Sequence, residues 1–256
     1  MQGFFFEQNK RHRHLTNFTS LNQKKNIMST VIITGANGGL GLAVTERFIG
    51  EGYRVIAVTG KSGAGELPED PRLYLREVDI LDEKASESFI TESIQLAPDL
   101  DSAVLLVGGF AMGKMTETPK AELEKMISLN FYSAFHVVRP LLKHFMSRSE
   151  GGRFILVGSR PGLEAAAGKD FFAYSLSKAM VFKLAEFINA EGKEKNVTAI
   201  VIVPSTIDTE ANRKAMPGAD FSRWVKPHDI ASTIAFYLSP EGKTIREGIV
   251  KIYNRA

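Results

Sequence analysis

The sequence predicts an α/β fold in which a parallel, doubly wound sheet of seven strands carries helices on both faces. Short apolar runs alternate with longer amphipathic segments from Ser29 onward, which is the order of strand–helix–strand units. The apolar runs are nearly continuous in Val, Ile and Leu, as in strands that are covered on both faces. A chain of 256 residues, 44% of them apolar, suits a single domain with a sizeable core.

The strands are expected at seven apolar runs: Val31–Thr34, Arg54–Val58, Leu73–Val78, Ala103–Val107, Arg153–Val157, Val197–Val203 and Ile249–Tyr253. The helices are expected between them, over Gly39–Glu51, Lys84–Gln95, Lys120–Met146, Phe172–Gly192 and His228–Leu238. The longest segment without a clear element, Ser205–Lys226, follows the sixth strand. A long loop at the carboxyl end of a strand is often a substrate lid.

Composition excludes several kinds of site. The chain has no cysteine, which excludes disulfides, thiolate nucleophiles and thiolate metal sites. The five histidines show no ligand spacing, so no metal is expected. No uninterrupted apolar stretch of about 18 residues occurs, so no membrane-spanning helix is expected.

Residues 1–28 carry the basic character of the chain. Their Lys and Arg residues outnumber a single acid, Glu7, to give a charge of +4, whereas the remaining residues carry −1. A nucleic-acid surface on the folded part is therefore not expected. We expect residues 1–28 to be a disordered extension, or translation to begin at Met28; an organelle-targeting or membrane-contacting arm is the alternative. Residues 29–256 are expected to form the domain, in the cytoplasm.

A glycine-rich turn follows the first strand, where the sequence from Thr34 to Gly41 has the spacing T-G-x-x-x-G-x-G. Glycines here let the backbone approach a pyrophosphate, and the next helix offers unpaired N–H groups and the positive end of its dipole. We therefore expect a dinucleotide at this turn of a Rossmann-type domain. The candidate cofactor-binding residues of the turn are Thr34, Gly35, Asn37, Gly39, Leu40 and Gly41.

A second candidate site is the pair Tyr174 and Lys178, in the run Y-S-L-S-K. Residues four apart stand on the same face of a helix, so the Lys178 ammonium is expected to lower the pKa of the Tyr174 phenol. Tyr174 would then be a general acid near neutral pH. Ser159 follows the strand Arg153–Val157, and the carboxyl ends of the strands are where a doubly wound sheet binds ligands.

From Ser29 to Tyr253 these motifs resemble the short-chain dehydrogenase/reductase family. The resemblance implies hydride transfer between a nicotinamide cofactor and a small carbonyl or alcohol, with Tyr174 as general acid/base. Lys178 would also hold the nicotinamide ribose, and Ser159 would bind the substrate oxygen. Asn130 would hold a water of the proton relay, although it could instead be a satisfied mid-helix polar residue.

The same resemblance implies further contacts with the cofactor. Asp79, at the end of the third strand, would meet the adenine ring, although it could equally cap the helix that begins near Asp82. The turn that begins at Pro204 would bring Thr209 to the nicotinamide carboxamide; the alternative is that Asp208 or Thr209 caps a short helix. Where most members have N-N-A-G after the fourth strand, this chain has Gly108, Gly109 and Phe110, and the glycine pair is expected at the cofactor.

The end of the second strand bears on the choice of cofactor. NAD enzymes place an acidic residue there for the ribose 2′-hydroxyl. This chain has Thr59, Gly60 and Lys61 instead, and Lys61 could pair with a 2′-phosphate. We therefore expect NADP to be favoured over NAD. The alternative is that Lys61 is a solvated loop residue.

Two segments resemble one branch of the family, the quinonoid dihydropteridine reductases. They are Gly108–Phe110 and the run Asn212–Trp224 in the predicted lid. This resemblance implies that Phe110, Arg213 and Trp224 contact the substrate, although Phe221 and Trp224 could simply pack the lid onto the core. That branch lacks the active-site Ser and carries an Asp after the second strand, whereas this chain has Ser159 and Thr59.

A hydroxyl aimed at the substrate oxygen suits an ordinary carbonyl. An NAD(P)-dependent carbonyl reductase or alcohol dehydrogenase is therefore the leading hypothesis, and a dihydropteridine reductase is the alternative. A nucleotide-sensing binding protein on the same fold is a third. The family pairs its subunits through the helices Lys120–Met146 and Phe172–Gly192, so the resemblance implies a homodimer or homotetramer. No nucleic-acid or membrane partner is expected.

Overall fold

The computed structural model describes residues 29–61, 63 and 65–255. The extension expected at residues 1–28 lies outside the described residues. The described residues form one α/β domain around a seven-stranded sheet in the order β3-β2-β1-β4-β5-β6-β7, with every neighbouring pair parallel. The predicted fold class is confirmed.

All seven strands lie within about three residues of their predicted ends. They are β1 (Thr30–Thr34), β2 (Arg54–Thr59), β3 (Leu73–Glu77), β4 (Leu100–Leu105), β5 (Gly152–Val157), β6 (Val197–Pro204) and β7 (Ile249–Ile252). The helices are α1 (Gly39–Gly50), α2 (Glu83–Leu96), α3 (Lys120–Ile127), α4 (Ser133–Ser147), α5 (Arg160–Leu163), α6 (Phe172–Gly192), α7 (Glu210–Ala215) and α8 (Pro227–Leu238).

Successive side chains of β1 enter two different cores, because side chains alternate across a strand. Ile32 joins a cluster that includes Phe89, Val137 and Ile188, from helices α2, α4 and α6. Val31 and Ile33 join a second cluster with α1 and α8. The expectation that the strands are covered on both faces is wrong for β3 and β7, which are partly exposed because they lie at the edges of the sheet.

The helix predicted over Lys120–Met146 is interrupted. α3 and α4 are separated by a π-helical turn, Ser128–Tyr132, which contains Asn130. Such turns insert an extra residue into a helix and often lie at functional sites. Periodicity cannot reveal this turn, because the apolar pattern continues through it.

The loop Ser205–Lys226 contains the short helix of the alternative in which Asp208 or Thr209 is a cap, and Thr209 is that cap. It includes α7 and a 3₁₀ turn over Phe221–Arg223. Its two ends meet in a short parallel bridge between Ile207 and Val225. We call the residues from Asp208 to Trp224 the lid.

None of the helices in the described part of the chain combines the length and apolar character needed to cross a membrane. Within residues 29–61, 63 and 65–255, no three His, Asp or Glu side chains come together as a candidate metal site.

The strand order reverses at β1, which lies between β2 and β4. In a doubly wound sheet, ligands bind beyond the carboxyl ends of the strands at this switch point. The glycine turn follows β1, the glycine pair follows β4, and Ser159 follows β5. The topology therefore brings three of the predicted site segments to one edge of the sheet.

Candidate active site

The glycine turn after β1 is too tight for side chains at two positions. Gly35 has φ of +68°, the left-handed region that favours glycine. A Cβ atom on Gly41 would lie 2.1 Å from the carbonyl oxygen of Gly35. Gly38 closes the turn by donating its N–H to the same oxygen at 3.0 Å.

The amino end of α1 suits an anion. Its N-cap residue, Gly38, has no capping side chain, and the first turn carries no acidic residue. The first N–H groups of the helix are therefore free of side-chain caps, and no carboxylate in that turn opposes a phosphate. These features fit the pyrophosphate of a dinucleotide.

Other predicted residues of the turn hold it in place. The Thr34 hydroxyl accepts a hydrogen bond from the N–H of Leu106 at 3.1 Å and so braces β1 against β4. Leu40 is half-buried against the core on the α1 side. A Cβ atom on Gly39 would lie 2.7 Å from the Thr209 methyl group, which brings the start of the lid to the turn.

The loop after β2 lies beside the glycine turn. The Asn37 amide donates to the carbonyl oxygen of Gly63 at 2.8 Å, which ties this loop to the turn. Thr59 is buried at the end of β2, whereas Lys61 is exposed. An exposed lysine thus follows, by two residues, the position at which NAD enzymes carry a carboxylate.

Asp79 follows β3 and is exposed. Its carboxylate accepts a hydrogen bond from the N–H of Leu81 at 3.1 Å. The cap of α2 is Asp82, which accepts from the N–H of Ala85 at 2.9 Å. The alternative that Asp79 caps this helix is therefore wrong. The cap is Asp82, which lies three residues after Asp79 and directly before α2.

Tyr174 and Lys178 lie on α6, with Lys178 only 6% exposed. The Lys178 Nζ donates to the carbonyl oxygen of Val157 at 2.8 Å, which places the ammonium at the end of β5. Burial disfavours the charged form and lowers the pKa of Lys178 to about 8.

The pKa of Tyr174 moves in the direction opposite to the one expected. Burial raises the pKa of the phenol, and a hydrogen bond with Ser159 offsets part of that rise. Lys178 does not lower it, since the Lys178 ammonium is directed to Val157. Tyr174 therefore keeps its proton at neutral pH.

Ser159 is buried and caps α5, where its hydroxyl accepts from the N–H of Gly162 at 3.1 Å. This bond uses the hydroxyl as an acceptor and leaves its proton for the hydrogen bond with Tyr174. A Cβ atom on Gly162 would lie 2.7 Å from the Lys178 Cβ, so α5 packs closely on α6 at Lys178.

The Asn130 side chain is buried and fully engaged. Its Oδ1 accepts from the N–H of Gly109 at 3.0 Å. Its Nδ2 donates to the carbonyl oxygen of Gly109 at 3.1 Å and to the Ser177 hydroxyl at 3.0 Å. These bonds agree with a satisfied polar residue, so the role of Asn130 in a proton relay stays a prediction.

The glycine pair lies directly against these groups. A Cβ atom on Gly108 would lie 2.6 Å from the Asn130 Oδ1 and 3.2 Å from the Lys178 Nζ. A Cβ atom on Gly109 would lie 2.7 Å from a Leu129 methyl group. The lack of side chains therefore lets the backbone after β4 approach Asn130 and Lys178.

Ser177 is a residue that the sequence reasoning missed. It is fully buried, and its hydroxyl donates to the carbonyl oxygen of Tyr174 at 2.8 Å while accepting from Asn130. Its place inside the Y-x-x-x-K run was visible, but only the fold brings Asn130 to it.

Phe110 is 58% exposed and its ring contacts Tyr174 directly. Its ring lies edge-on to Tyr174, with centroids 5.0 Å apart, and 5.3 Å from Phe171. The aromatic residue after the glycine pair thus borders the phenol, and its substrate role stays a prediction.

The lid places the other two predicted substrate residues in a cluster of their own. Arg213 donates two hydrogen bonds to Asp208, at 2.5 and 2.8 Å, and its guanidinium lies 4.8 Å from the Phe221 ring. Phe221 packs on Trp224, which is 7% exposed, as the packing alternative predicts. The substrate roles of Arg213 and Trp224 stay predictions.

The other two residues expected at the cofactor lie at the end of β6 and at the start of the lid. Thr209 caps α7 while it contacts Gly39. Pro204 is buried at the end of β6.

Comparisons with known proteins agree with this geometry. A family model described as short chain dehydrogenase matches residues 29–219. The 3-oxoacyl-[acyl-carrier-protein] reductase MabA of Mycobacterium tuberculosis is 27% identical over 88% of this chain and 92% of its own. The dihydropteridine reductase of Dictyostelium discoideum is 26% identical over 80% of this chain and 85% of its own.

The solved structure of ElxO with NADP bound superimposes with a TM-score of 0.78 at 22% identity, over 88% of this chain and 97% of that one. At 22% identity, this structural similarity shows the fold alone. The family model, in contrast, covers the glycine turn, the glycine pair and the Tyr174–Lys178 pair together. The chain belongs to the short-chain dehydrogenase/reductase family and is an NAD(P)-dependent oxidoreductase.

Proposed function

We propose that the protein is an NADPH-dependent reductase of small carbonyl compounds. The observation that carries this proposal is the meeting of the Tyr174 phenol, the Ser159 hydroxyl and the Lys178 ammonium at the carboxyl ends of the strands. A bound nicotinamide supplies the hydride. Ser159 orients the carbonyl oxygen by donating its hydroxyl proton, and Tyr174 gives its own proton to that oxygen as a general acid.

The protonation of Tyr174 favours the direction of reduction. Burial raises the pKa of this phenol, so Tyr174 holds a proton to donate at neutral pH. Oxidation of an alcohol would require the phenolate, which the same burial disfavours. Lys178 contributes by holding the ribose with its ammonium, whose position is fixed by Val157.

The preference for NADPH rests on Lys61. The loop that carries it is tied to the glycine turn by Asn37, and the end of β2 offers no carboxylate to repel a 2′-phosphate. Steady-state kinetics with each cofactor test this preference. Lys61→Ala should raise the KM for NADPH and leave that for NADH unchanged, with the exposed Lys195→Ala as control. A wild-type preference for NADH would overturn the proposal.

Dihydropteridine reduction is the second candidate. It is favoured by the run Asn212–Trp224 and by the Dictyostelium discoideum relative. Assays of quinonoid dihydropterin against a panel of ketones and aldehydes separate the two. Ser159→Ala should strongly reduce turnover of a carbonyl, whereas turnover of a pterin without dependence on Ser159 would favour the second candidate. If NADPH bound to the protein but none of these compounds oxidised it, a nucleotide-sensing protein would be favoured.

We also propose a homodimer formed through α4 and α6. These helices border an apolar groove of about 740 Å³, in which Phe187 is 64% exposed and Leu176 is 41% exposed. A second copy would cover both side chains. Light scattering should give the mass of a dimer or tetramer, and Phe187→Glu should give a monomer. A monomeric wild type would overturn this proposal. A cytoplasmic location stays a prediction, which localisation of the tagged chain would test.

A further inference from the structure

Residues 251–255, at the end of β7 and directly after it, form a segment that contacts the lid. Each of these contacts is a hydrogen bond from a side chain to a backbone carbonyl oxygen. The Asn254 amide donates to the carbonyl oxygens of Trp224, at 2.9 Å, and Ser222, at 3.3 Å. Arg223 returns the contact, because its guanidinium donates to the carbonyl oxygen of Arg255 at 2.7 and 3.1 Å. Four hydrogen bonds therefore join the end of the lid to this segment.

The same segment contacts the short helix that Ser159 caps. Glu164, just after α5, accepts from Arg160 at 3.2 Å and from Lys251 at 3.4 Å. The Arg160 guanidinium lies 5.5 Å from the centre of the Tyr253 ring. Residues 251–255 thus touch α5 on one side and the lid on the other.

The backbone of Asn254 is held in an uncommon conformation. Its φ is +51°, in the left-handed region, where asparagine is tolerated better than most residues. This conformation accompanies the two bonds from its side chain to the lid. The residue is exposed, so these bonds are made without the support of a surrounding core.

We propose that residues 251–255 join the lid to α5, and that Asn254 is the positioning residue that seats the lid for the substrate. Asn254 contacts no catalytic group and acts through Trp224 and Ser222. The effect on substrate rests on the function proposed above, whereas the seating of the lid does not.

Trp224 allows the seating to be measured directly. It is the one tryptophan of the 256-residue sequence, so selective excitation of tryptophan reports only on the lid. Asn254→Gly accepts the positive φ at no steric cost and removes the amide donor. We expect a red shift of the emission, because Trp224 gains exposure from its present 7%.

Asn196 provides a matched control. It also has a positive φ, of +55°, and its amide donates to the carbonyl oxygen of Glu150 at 3.0 Å, between α6 and β6 at the opposite end of the sheet. Asn196→Gly should leave the emission unchanged. Asn254→Asp, which keeps an acceptor but loses the donor, provides a second variant if the first does not fold.

The kinetic arm uses the best carbonyl substrate. Asn254→Gly should raise its KM by about fivefold or more, because loss of a single such hydrogen bond produces about that factor and the variant loses two. It should raise the KM for NADPH less than about twofold. Equal emission from the Asn254 and Asn196 variants would overturn the proposal, as would an emission shift without a change in the substrate KM. A wild type that reduces no carbonyl would instead refute the proposed function, and the emission would still decide the seating.

Discussion

Around Tyr174 the polar side chains are buried and bound to backbone groups of other elements, whereas those of the lid are exposed and bound largely to one another. Lys178 reaches the backbone of β5, and Asn130 holds the backbone of Gly109. In the lid, Arg213 is held by Asp208, five residues away in sequence. One region is held by buried contacts between different elements, and the other by more exposed contacts, most of them within the lid and the rest to residues 251–255.

This difference matters because a buried polar group has no water to replace a lost partner, while an exposed one does. Changes at the catalytic centre should therefore have large effects on turnover or on stability. Changes within the lid should be smaller and should alter the KM for the substrate. The two regions can be compared by substitutions of similar size, each with a control elsewhere.

The largest effect is expected for Tyr174→Phe, which removes the proton donor and keeps the ring beside Phe110. We expect kcat to fall about 10³-fold, the size of a general-acid contribution, with NADPH binding retained. Tyr132→Phe is the control, because Tyr132 is 45% exposed on the π-helical turn. Turnover by the Tyr174 variant within a few-fold of wild type would refute the proposed chemistry.

The burial of Lys178 predicts a dependence of stability on pH. Its pKa is lowered from 10.5 to about 8, so between these values the unfolded chain binds more protons than the folded one. The cost of burying the ammonium is therefore fully present below pH 8 and disappears as the pH rises towards 10.5. Lys178→Met should be more stable than wild type at about pH 7, by at most about 3 kcal/mol.

This advantage should shrink steadily between about pH 8 and 10.5. The bond to Val157 that the variant loses reduces it by a constant amount. Chemical denaturation of the cofactor-free protein at several pH values measures both effects. Lys183→Met is the control, since Lys183 is exposed on the same helix. A difference in unfolding free energy that did not vary with pH would contradict the prediction.

A smaller loss is expected for Gly108→Ala. The new methyl group would meet the Asn130 Oδ1 at 2.6 Å, so Asn130 must move and weaken its bonds to Gly109. Overpacking of this kind costs about 1–3 kcal/mol, so we expect kcat/KM to fall about 10- to 100-fold. Gly50→Ala is the control, because a Cβ atom there has no neighbour within 4 Å. Full activity of the Gly108 variant would show that the backbone at this point is not tightly held.

Apolar periodicity was sufficient to predict the order of the seven strands and the positions of the longer helices. The candidate site residues were expected from the glycine spacing, the Tyr174–Lys178 pair and the resemblance to the family. The positions of the strands β1 to β7 follow from local runs of apolar residues, which can be read directly from the sequence. The sequence could not reveal the π-helical turn at Asn130, because the apolar pattern continues through it. It could not reveal the bond from Asn130 to Ser177, because these residues are distant along the chain.

The direction in which the pKa of Tyr174 is shifted could not be predicted from the sequence either. The spacing to Lys178 predicted a lowered value, but the fold directs the ammonium to Val157 and buries the phenol. The structure of the lid was harder still to predict from the sequence. Its short helix depends on a cap at Thr209, and its seating depends on residues 251–255, which carry no motif.

The smallest effect is expected for Asp208→Asn in the lid. The substitution keeps the shape of the side chain and removes the charge that holds the Arg213 guanidinium, while the Phe221 ring still lies beneath it. The Arg213 guanidinium of this pair is half exposed, and ion pairs open to solvent contribute little. We therefore expect the KM for the best carbonyl substrate to change less than about fivefold and kcat to stay the same. Added salt should weaken the effect further, since it screens the pair in the wild type. Glu51→Gln, which breaks a similar exposed pair with Arg47 at the end of α1, is the control. A tenfold or larger loss of kcat in the Asp208 variant would mean that the lid belongs, with Tyr174 and Lys178, to the region held by buried contacts between different elements.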